Sequence, residues 1–292
     1  MRQLPRPDSS RRRAGRQRTR GVALIAVLLL VAGLIAIATA VVTLSVSQQR
    51  AAQRAFEADA RREALDGALR VALAEISFGK PEGPFWHPRQ PRTVSVAGKR
   101  VEVTLERESG RIDLNTTDEK YLVAALVTSG MTESSARTGA ARIRDWIDAD
   151  DETSPNDGAE REEYRQAQMP YEPRNAPMEN VEEVRQVMGL QGLNDVSLDA
   201  FTVYSQQLEP WAAEAPLTVR QSLDWLAGVA GQGGVNALPA PPLSEAMAVV
   251  SYAGSVIRLR ACVESEGDAP CRTIITRVTG SARQPFQVLS WR

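Results

Sequence analysis

The sequence predicts an α+β fold: a long N-terminal helix beside a small antiparallel sheet, the sheet being interrupted by a large, mostly α-helical insertion. Three observations predict it. An uncharged run from Val22 passes without proline into a segment rich in Ala, Arg, Glu and Leu. Apolar and polar residues alternate near residue 100 and again beyond residue 255. Between those stretches the apolar period is helical.

The N-terminus sets the topology. Arg2, Arg6, Arg11, Arg12, Arg13, Arg16, Arg18 and Arg20 face a single Asp8 in the first twenty residues, although the 292-residue chain carries a net charge of only -1. That overall balance gives no general pull toward nucleic acid. The local excess, next to an apolar run, marks a cytoplasmic flank under the positive-inside rule. Val22 to Val46 is apolar apart from Thr39, Thr43 and Ser45, whose hydroxyls a helix can satisfy on its own backbone. At about 1.5 Å per residue it crosses a hydrocarbon core of about 30 Å. A secretory signal has a shorter apolar region of about 7–15 residues, closed by a small-residue cleavage site. The chain is therefore expected to be single-pass, with a cytoplasmic N-terminus and the C-terminal domain outside the cytoplasm.

No proline falls between Ser47 and Lys80, so one helix is expected from about Val22 to Phe78. Ala51, Ala55 and Ala58, then Leu65, Leu69, Ala72 and Ile76, recur at spacings of three and four and give it a narrow apolar stripe. Gly79 and Pro81 end it. After the turn-rich "PEGPFWHP", the segment "RTVSVAGKRVEVTLERES" alternates on either side of Gly98-Lys99. It predicts a hairpin able to cover the amphipathic half of the helix.

From Arg111 the period turns helical. Thr116, Thr117 and Asp118 offer caps for a helix carrying Tyr121, Leu122, Ala125 and Leu126. Thr132 or Ser134 caps the next, with Ala136, Ala140, Ile143, Trp146 and Ile147, and a third helix follows Asn180. The segment 209–245 reads as a worn second helical unit with a Gly/Pro-rich exit. Strands return in "SVIRLRACVES", "CRTIITRVTG" and "FQVLSW". The expected divisions are a leader 1–21, a helix and first hairpin 22–110, a helical insertion 111–235, and closing strands 236–292. Cys262 and Cys271 are the only cysteines and flank a Glu-Gly-Asp turn, which sets them opposite each other across a hairpin. In an oxidising compartment that pair is expected to be a disulfide.

Chemistry is sparse. The lone His87 sits in a proline-bound connector, and no nucleophile elbow, P-loop, CxxC or HExxH pattern occurs. A non-enzymatic role is expected. The stretch "DWIDADDETSPNDGAEREEY" crowds carboxylates that repel one another unless solvent or a cation intervenes. A hard cation wants six to eight oxygens from such a loop, but the EF-hand order is absent. On residues alone a solvated acidic loop is the better reading. Asp145 and Trp146 read as structural, and "PYEPRN" as a rigid loop over the acidic one.

The basic leader, Gly21 and the uncharged helix with its amphipathic continuation resemble the type IV pilin class. In that class a prepilin peptidase cuts after the glycine and the new N-terminus is methylated; here the residues are Gly21 and Val22. Most pilins carry Glu at the fifth mature position, where this chain has Ala26. With "SGRIDLNTTDEKYLVAALV", "RIRDWIDADDETSPNDGAEREEY", "MPYEPRNAPMENVEEVRQVMGL" and "FQVLSW" in order, the chain resembles the minor pseudopilin K family of type II secretion systems. The resemblance implies a pilin-like fold and an inner-membrane subunit at the tip of the pseudopilus, with its soluble part periplasmic. It would help to initiate pilus assembly and the export of folded exoproteins. The implied partners are the I- and J-type minor pseudopilins, the major pseudopilin and the prepilin peptidase. Contact with exoprotein or the secretin is left open, and no nucleic acid is expected.

In that setting the stripe Ala51, Ala55, Ala58, Leu65, Leu69, Ala72 and Ile76 is assigned to packing against partner helices. The resemblance also implies Ca²⁺ in the insertion. Asp148, Asp150, Asp157 and Glu160 are assigned first, with Asp151 and Glu163 in reserve. The alternative is a membrane-anchored helix-hairpin-helix protein of a DNA-uptake apparatus, suggested by "IDLNTTDEKYLVAALVTSGMTESSARTGAARI". Against it, the hairpin has one glycine and an acid, and its surroundings are acidic.

Overall fold

A computed structural model describes residues 18–78, 86–230, 252–263 and 271–292. The chain divides into two compact units at Arg61–Arg62. Most of the leader, much of the "PEGPFWHP" connector, the Gly/Pro-rich exit with the expected 235/236 boundary, and the Glu-Gly-Asp turn lie outside the described residues.

Helix α1 runs Arg18–Phe78. It begins four residues before the expected Val22, because the basic residues ahead of it are good helix formers and a single glycine does not stop a helix. In the first unit the apolar side chains from Val22 to Val46 are exposed, and this stretch is long and apolar enough to cross a membrane. Its polar side chains turn inward onto the backbone. Thr39 donates to the Ile35 carbonyl at 2.6 Å, Thr43 to Ala40 at 2.9 Å and Ser45 to Val41 at 2.9 Å. In hydrocarbon this spares each hydroxyl an unsatisfied donor.

The second unit begins inside α1. The strands β1 (Arg92–Val96) and β2 (Lys99–Arg107) form the expected hairpin. Its turn is Ala97–Gly98, with φ of 49° and 76°, one residue earlier than the alternation suggested. Two successive left-handed residues match the twist of the flanking strands. A short pairing, β3 (Ile112–Asp113), opens the insertion, followed by α2 (Glu119–Thr128) and α3 (Glu133–Ile147). Thr132 caps α3 by accepting the Ser135 N–H. Next come α4 (Arg161–Gln166), a 3₁₀ turn at Val181–Gln186 where an α-helix was expected, α5 (Asp195–Leu198), β4 (Phe201–Thr202) and α6 (Leu217–Ala230). The β3–β4 pair is parallel and escaped the sequence reading, since two residues carry no period. Strands β5 (Val256–Val263), β6 (Cys271–Val278) and β7 (Phe286–Trp291) complete one antiparallel sheet, in the order β1-β2-β5-β6-β7. The fold is therefore pilin-like α+β: a long helix and an antiparallel sheet, with the helical insertion between β2 and β5.

The unit holds two separate apolar cores. One joins α1 to the sheet through Ala64, Leu65, Ala68, Leu69, Ala72 and Leu73 against Val101, Val103, Leu105, Ile257, Leu259 and Ile274. The other fills the insertion around Leu122, Leu126, Ile143, Trp146, Tyr164 and Phe201. This corrects part of the stripe assignment. Leu65, Leu69 and Ala72 are buried against the chain's own sheet, and Ile76 packs at the margin of that core, so these four do not face a partner helix. Periodicity identifies an apolar face but not what covers it. Ala51, Ala55 and Ala58 are exposed.

A polar seam joins insertion and sheet. Arg258 on β5 donates to Glu108 at 2.7 Å and to Asp199 at 3.3 Å. Arg111 donates to the Asp199 carboxylate and carbonyl, both at 2.9 Å, and pairs with Glu106. Thr202 donates to Glu108. Glu108 and Arg111 are 0% and 1% exposed. Burial alone would raise the Glu108 carboxyl, but Arg258 and Arg111 outweigh it and hold the group below the usual carboxylate range. Gly110 lies inside the seam, where a Cβ would come within 2.3 Å of the Glu214 carbonyl oxygen, so no larger residue fits.

Removing the central acid leaves two guanidinium groups facing each other in the interior. Glu108→Ala is expected to destabilise the second unit by about 3–5 kcal/mol, as loss of one partner from a buried ion pair does. Urea unfolding of the purified chain checks this. A loss no larger than that of an exposed pair such as Arg137–Glu133, up to about 1 kcal/mol, would contradict the role given to the seam.

Candidate functional site

The acidic stretch lies where α3 ends. Asp145 is fully buried in the last turn of α3, and both its oxygens accept the Ser154 N–H, at 3.0 and 3.2 Å. This bends the chain back over the helix. Gly158 makes the return possible, since a Cβ there would sit 2.2 Å from Asp145 Oδ2. Asn156 and Asp157 follow the turn in left-handed conformation, with φ of 71° and 60°, which Asn and Asp tolerate better than most residues. Helix α4 then starts, with Glu160 at its N-cap.

This path brings together Asp148, Asp150 and Glu160, each offering a carboxylate oxygen within 4.8 Å of the others. Asp151, Asp157 and Glu163 are not in the group. The Asp157 carbonyl accepts Arg142 Nε at 3.0 Å. Glu163 accepts the Glu160 N–H at 2.9 Å, a helix-capping contact. Asp151 lies 3.9 Å from Arg161. Counting acids along a loop could not separate those turned inward from those used in caps; of the six assigned residues the fold groups three, Asp148, Asp150 and Glu160.

The cluster is short of donors. Glu160 is 3% exposed, and neither of its carboxylate oxygens has a hydrogen-bond partner. Asp148 Oδ1 and Asn175 Oδ1 are also buried without a donor. Asn175 reaches the site from the "PYEPRN" loop. Its N–H donates to the Trp146 carbonyl at 3.0 Å and its side chain to the Asp150 carbonyl at 3.2 Å. Tyr171 of the same loop packs edge-on to Trp146, with centroids 6.2 Å apart, so the loop does cover the acidic turn. Trp146 belongs to the core, as expected, and donates to Glu183 at 3.2 Å.

Burial, then the charges of Asp145, Asp148, Asp151 and Asp150, push the Glu160 carboxyl up to about 8. Burial, with Asp150 and Asp145, also raises Asp148. Oxygen-only donors of this kind, several of them orphaned, fit a hard dication and not a thiophilic or imidazole-seeking metal. Asp148, Asp150 and Glu160 would hold it, with Asn175 at the edge. Bound there, such an ion supplies charge compensation and a cross-link between α3, α4 and the covering loop.

The other assigned sites are as follows. Cys262 and Cys271 are bonded, in register across β5 and β6, with Cα atoms 4.4 Å apart. His87 is exposed. In the α2–α3 hairpin, the amides of Ser129, Gly130 and Met131 are spent on the carbonyls of Ala125, Val127 and Leu126. These three amides are not free to hold phosphate, and the acid Glu133 stands two residues beyond Met131. The geometry does not favour the DNA-binding alternative.

A helix whose first part is long and apolar enough to cross a membrane, and whose last turns pack on an antiparallel sheet that carries a helical insertion, defines a pilin-like α+β fold. Residues 105–194 match the family model described as type II secretion system protein K, and with the fold this match supports a minor pseudopilin of the K type. The fold is similar to one chain of the crystal structure of the GspK-GspI-GspJ complex from the enterotoxigenic Escherichia coli type 2 secretion system. The two share 17% sequence identity over 82% of this chain and 98% of that one, with a TM-score of 0.53. None of the curated proteins matches this chain.

The raised Glu160 carboxyl gives a pH signature in chelator. Its folded value, about 8, lies above the unfolded value near 4.5, so the folded state holds the proton more tightly between those limits. Stability therefore falls as pH rises through that window. Glu160→Gln, which mimics the protonated acid, is expected to become progressively more stable than the parent from pH 5 to pH 8. Parallel unfolding profiles across that range would refute the assignment.

Proposed function

We propose that this protein is the tip subunit of a type II secretion pseudopilus and acts there without catalysis. The family match over the insertion carries the reading. Ala26 supports the tip position: a subunit without an acid there lacks the carboxylate that would pair with a neighbour's N-terminal amine. At the tip it would help to start assembly and the export of folded exoproteins. The solved complex described above contains GspI and GspJ, and their counterparts are the proposed neighbours of this chain. Exposed Ala51, Ala55 and Ala58 on α1 are small enough for close helix packing. The major pseudopilin and the prepilin peptidase complete the partners. The leader is cut after Gly21, Val22 becomes the methylated N-terminus, and the C-terminal domain faces the periplasm. The oxidised Cys262–Cys271 pair suits that compartment.

Ca²⁺ is the proposed ion at Asp148, Asp150 and Glu160. The orphaned buried oxygens of Asp148, Glu160 and Asn175 support it. Its role is to hold the covering loop against α3, not to activate a substrate.

Intact mass and N-terminal sequencing of the membrane-extracted protein test the processing. The expected result is a chain starting at methylated Val22, and Gly21→Asp should retain the leader. A native chain with its leader intact would end the pseudopilin reading. At about a hundred times its dissociation constant, Ca²⁺ should stabilise the chain by about 2.7 kcal/mol, and Asp148→Asn should abolish the gain. A melting curve indifferent to Ca²⁺ would remove the metal and leave the pilus reading standing.

A further inference from the structure

A polar cavity of about 590 Å³ opens at the seam between the insertion and the sheet. It is away from the acidic cluster in sequence and shares no residue with it. Its lining includes Tyr204, Gln206, Ser255, Val256 and Arg277. The floor is the sheet: Val256 and Arg277 are paired across β5 and β6, and Gln287 on β7 continues the row on the same face. The wall is the loop 204–207. Asp113, 1% exposed, grips that loop by accepting the Gln206 N–H at 2.8 Å and the Ser205 hydroxyl at 3.1 Å. Gln206 is held at φ 55°. Floor and wall are both fixed by hydrogen bonds internal to the fold, so the cavity is preformed.

The charge pattern of the seam makes Arg277 stand apart. Arg111 and Arg258 have Glu108 and Asp199, Arg107 has Glu214, and Arg292 has Glu182. Among the described residues Arg277, the arginine that lines this cavity, has no carboxylate and no side-chain hydrogen bond. The Gln206 amide and the Ser255 hydroxyl are likewise without internal partners. An unpaired guanidinium flanked by neutral donors in a preformed recess is matched by one anionic group bearing several lone pairs. The volume lies within the range of small-ligand pockets, about 300–1,000 Å³. The low apolar content of the lining disfavours a lipid chain or an aromatic ligand.

We propose that this cavity is a docking socket for an acidic side chain of a partner polypeptide, with Arg277 pairing the carboxylate and Gln206 and Ser255 donating to the segment that carries it. The socket is argued from the cavity alone and depends neither on the cation site nor on the secretion reading.

The test uses the full chain in detergent micelles and saturation-transfer NMR with three peptides. One is Ac-Gly-Asp-Ser-Gly-NH2, the second its Asn analogue, and the third Ac-Gly-Ser-Gly, whose only charge is its free C-terminal carboxylate. The acidic peptide should bind about tenfold or more tightly than the Asn analogue, and Arg277→Gln should erase that difference. Gln206→Ala, on the loop surface, should weaken the acidic peptide while leaving the melting temperature unchanged; it serves if the sheet variant fails to fold. No discrimination between Asp and Asn, discrimination that survives Arg277→Gln, or preference for the free C-terminus would each overturn the proposal.

Discussion

The buried network of Glu108, Arg111, Asp199 and Arg258 is the constraint on which the second unit depends. The sheet and the insertion each have a complete apolar core, and those two clusters share no residue. What joins them is charge. Desolvating those groups is expensive, and an apolar seam of equal volume would cost less. A charge network differs from an apolar seam in demanding particular partners at particular distances. Arg258 reaches Glu108 and Asp199 together only with the loop after α5 set against β5. The orientation of the insertion on the sheet thus follows from a few polar contacts, while stability resides in the two cores.

Most of the sheet and the long helix was legible because each rests on a pattern that extends over many residues. The alternation of Val94, Val101, Val103 and Leu105 survives as the inner face of β1 and β2. The cysteine pair was legible because a hairpin turn sets opposite positions by counting from both ends. The 3₁₀ turn at Val181–Gln186 was read as a helix because Asn180 gives the same start signal for both; its side chain accepts the Glu183 N–H in either case. The β3–β4 pair and the seam were not legible. Their partners, such as Arg111 and Asp199, stand 88 residues apart and follow no period.

The acidic cluster was half legible, and the reason is instructive about charge. Composition marks a crowded stretch but says nothing of which carboxylates turn inward. Asp145 was readable as structural from its place beside Trp146 on a buried helix face. Glu163 was readable in principle, three residues after Glu160 at the start of a helix, as a cap. The stripe on α1 failed in the opposite way. Its period was right, yet Leu65, Leu69 and Ala72 serve the chain's own sheet. An amphipathic helix declares that a face will be covered; only the complete fold says by what.

The two polar sites differ in what the fold has already paid. At the acidic turn, like charges are forced together, so the unliganded state carries a penalty that protonation of Glu160 or a dication relieves. At the seam cavity Arg277 sits without a partner but half-exposed, so water solvates it at little cost. Relief of repulsion makes the first site a contributor to the stability of the insertion itself. The second contributes nothing until a carboxylate arrives. A ligand at the first site therefore changes how firmly the covering loop is held, whereas a ligand at the second, between a wall and a floor that are already fixed, binds without reshaping either.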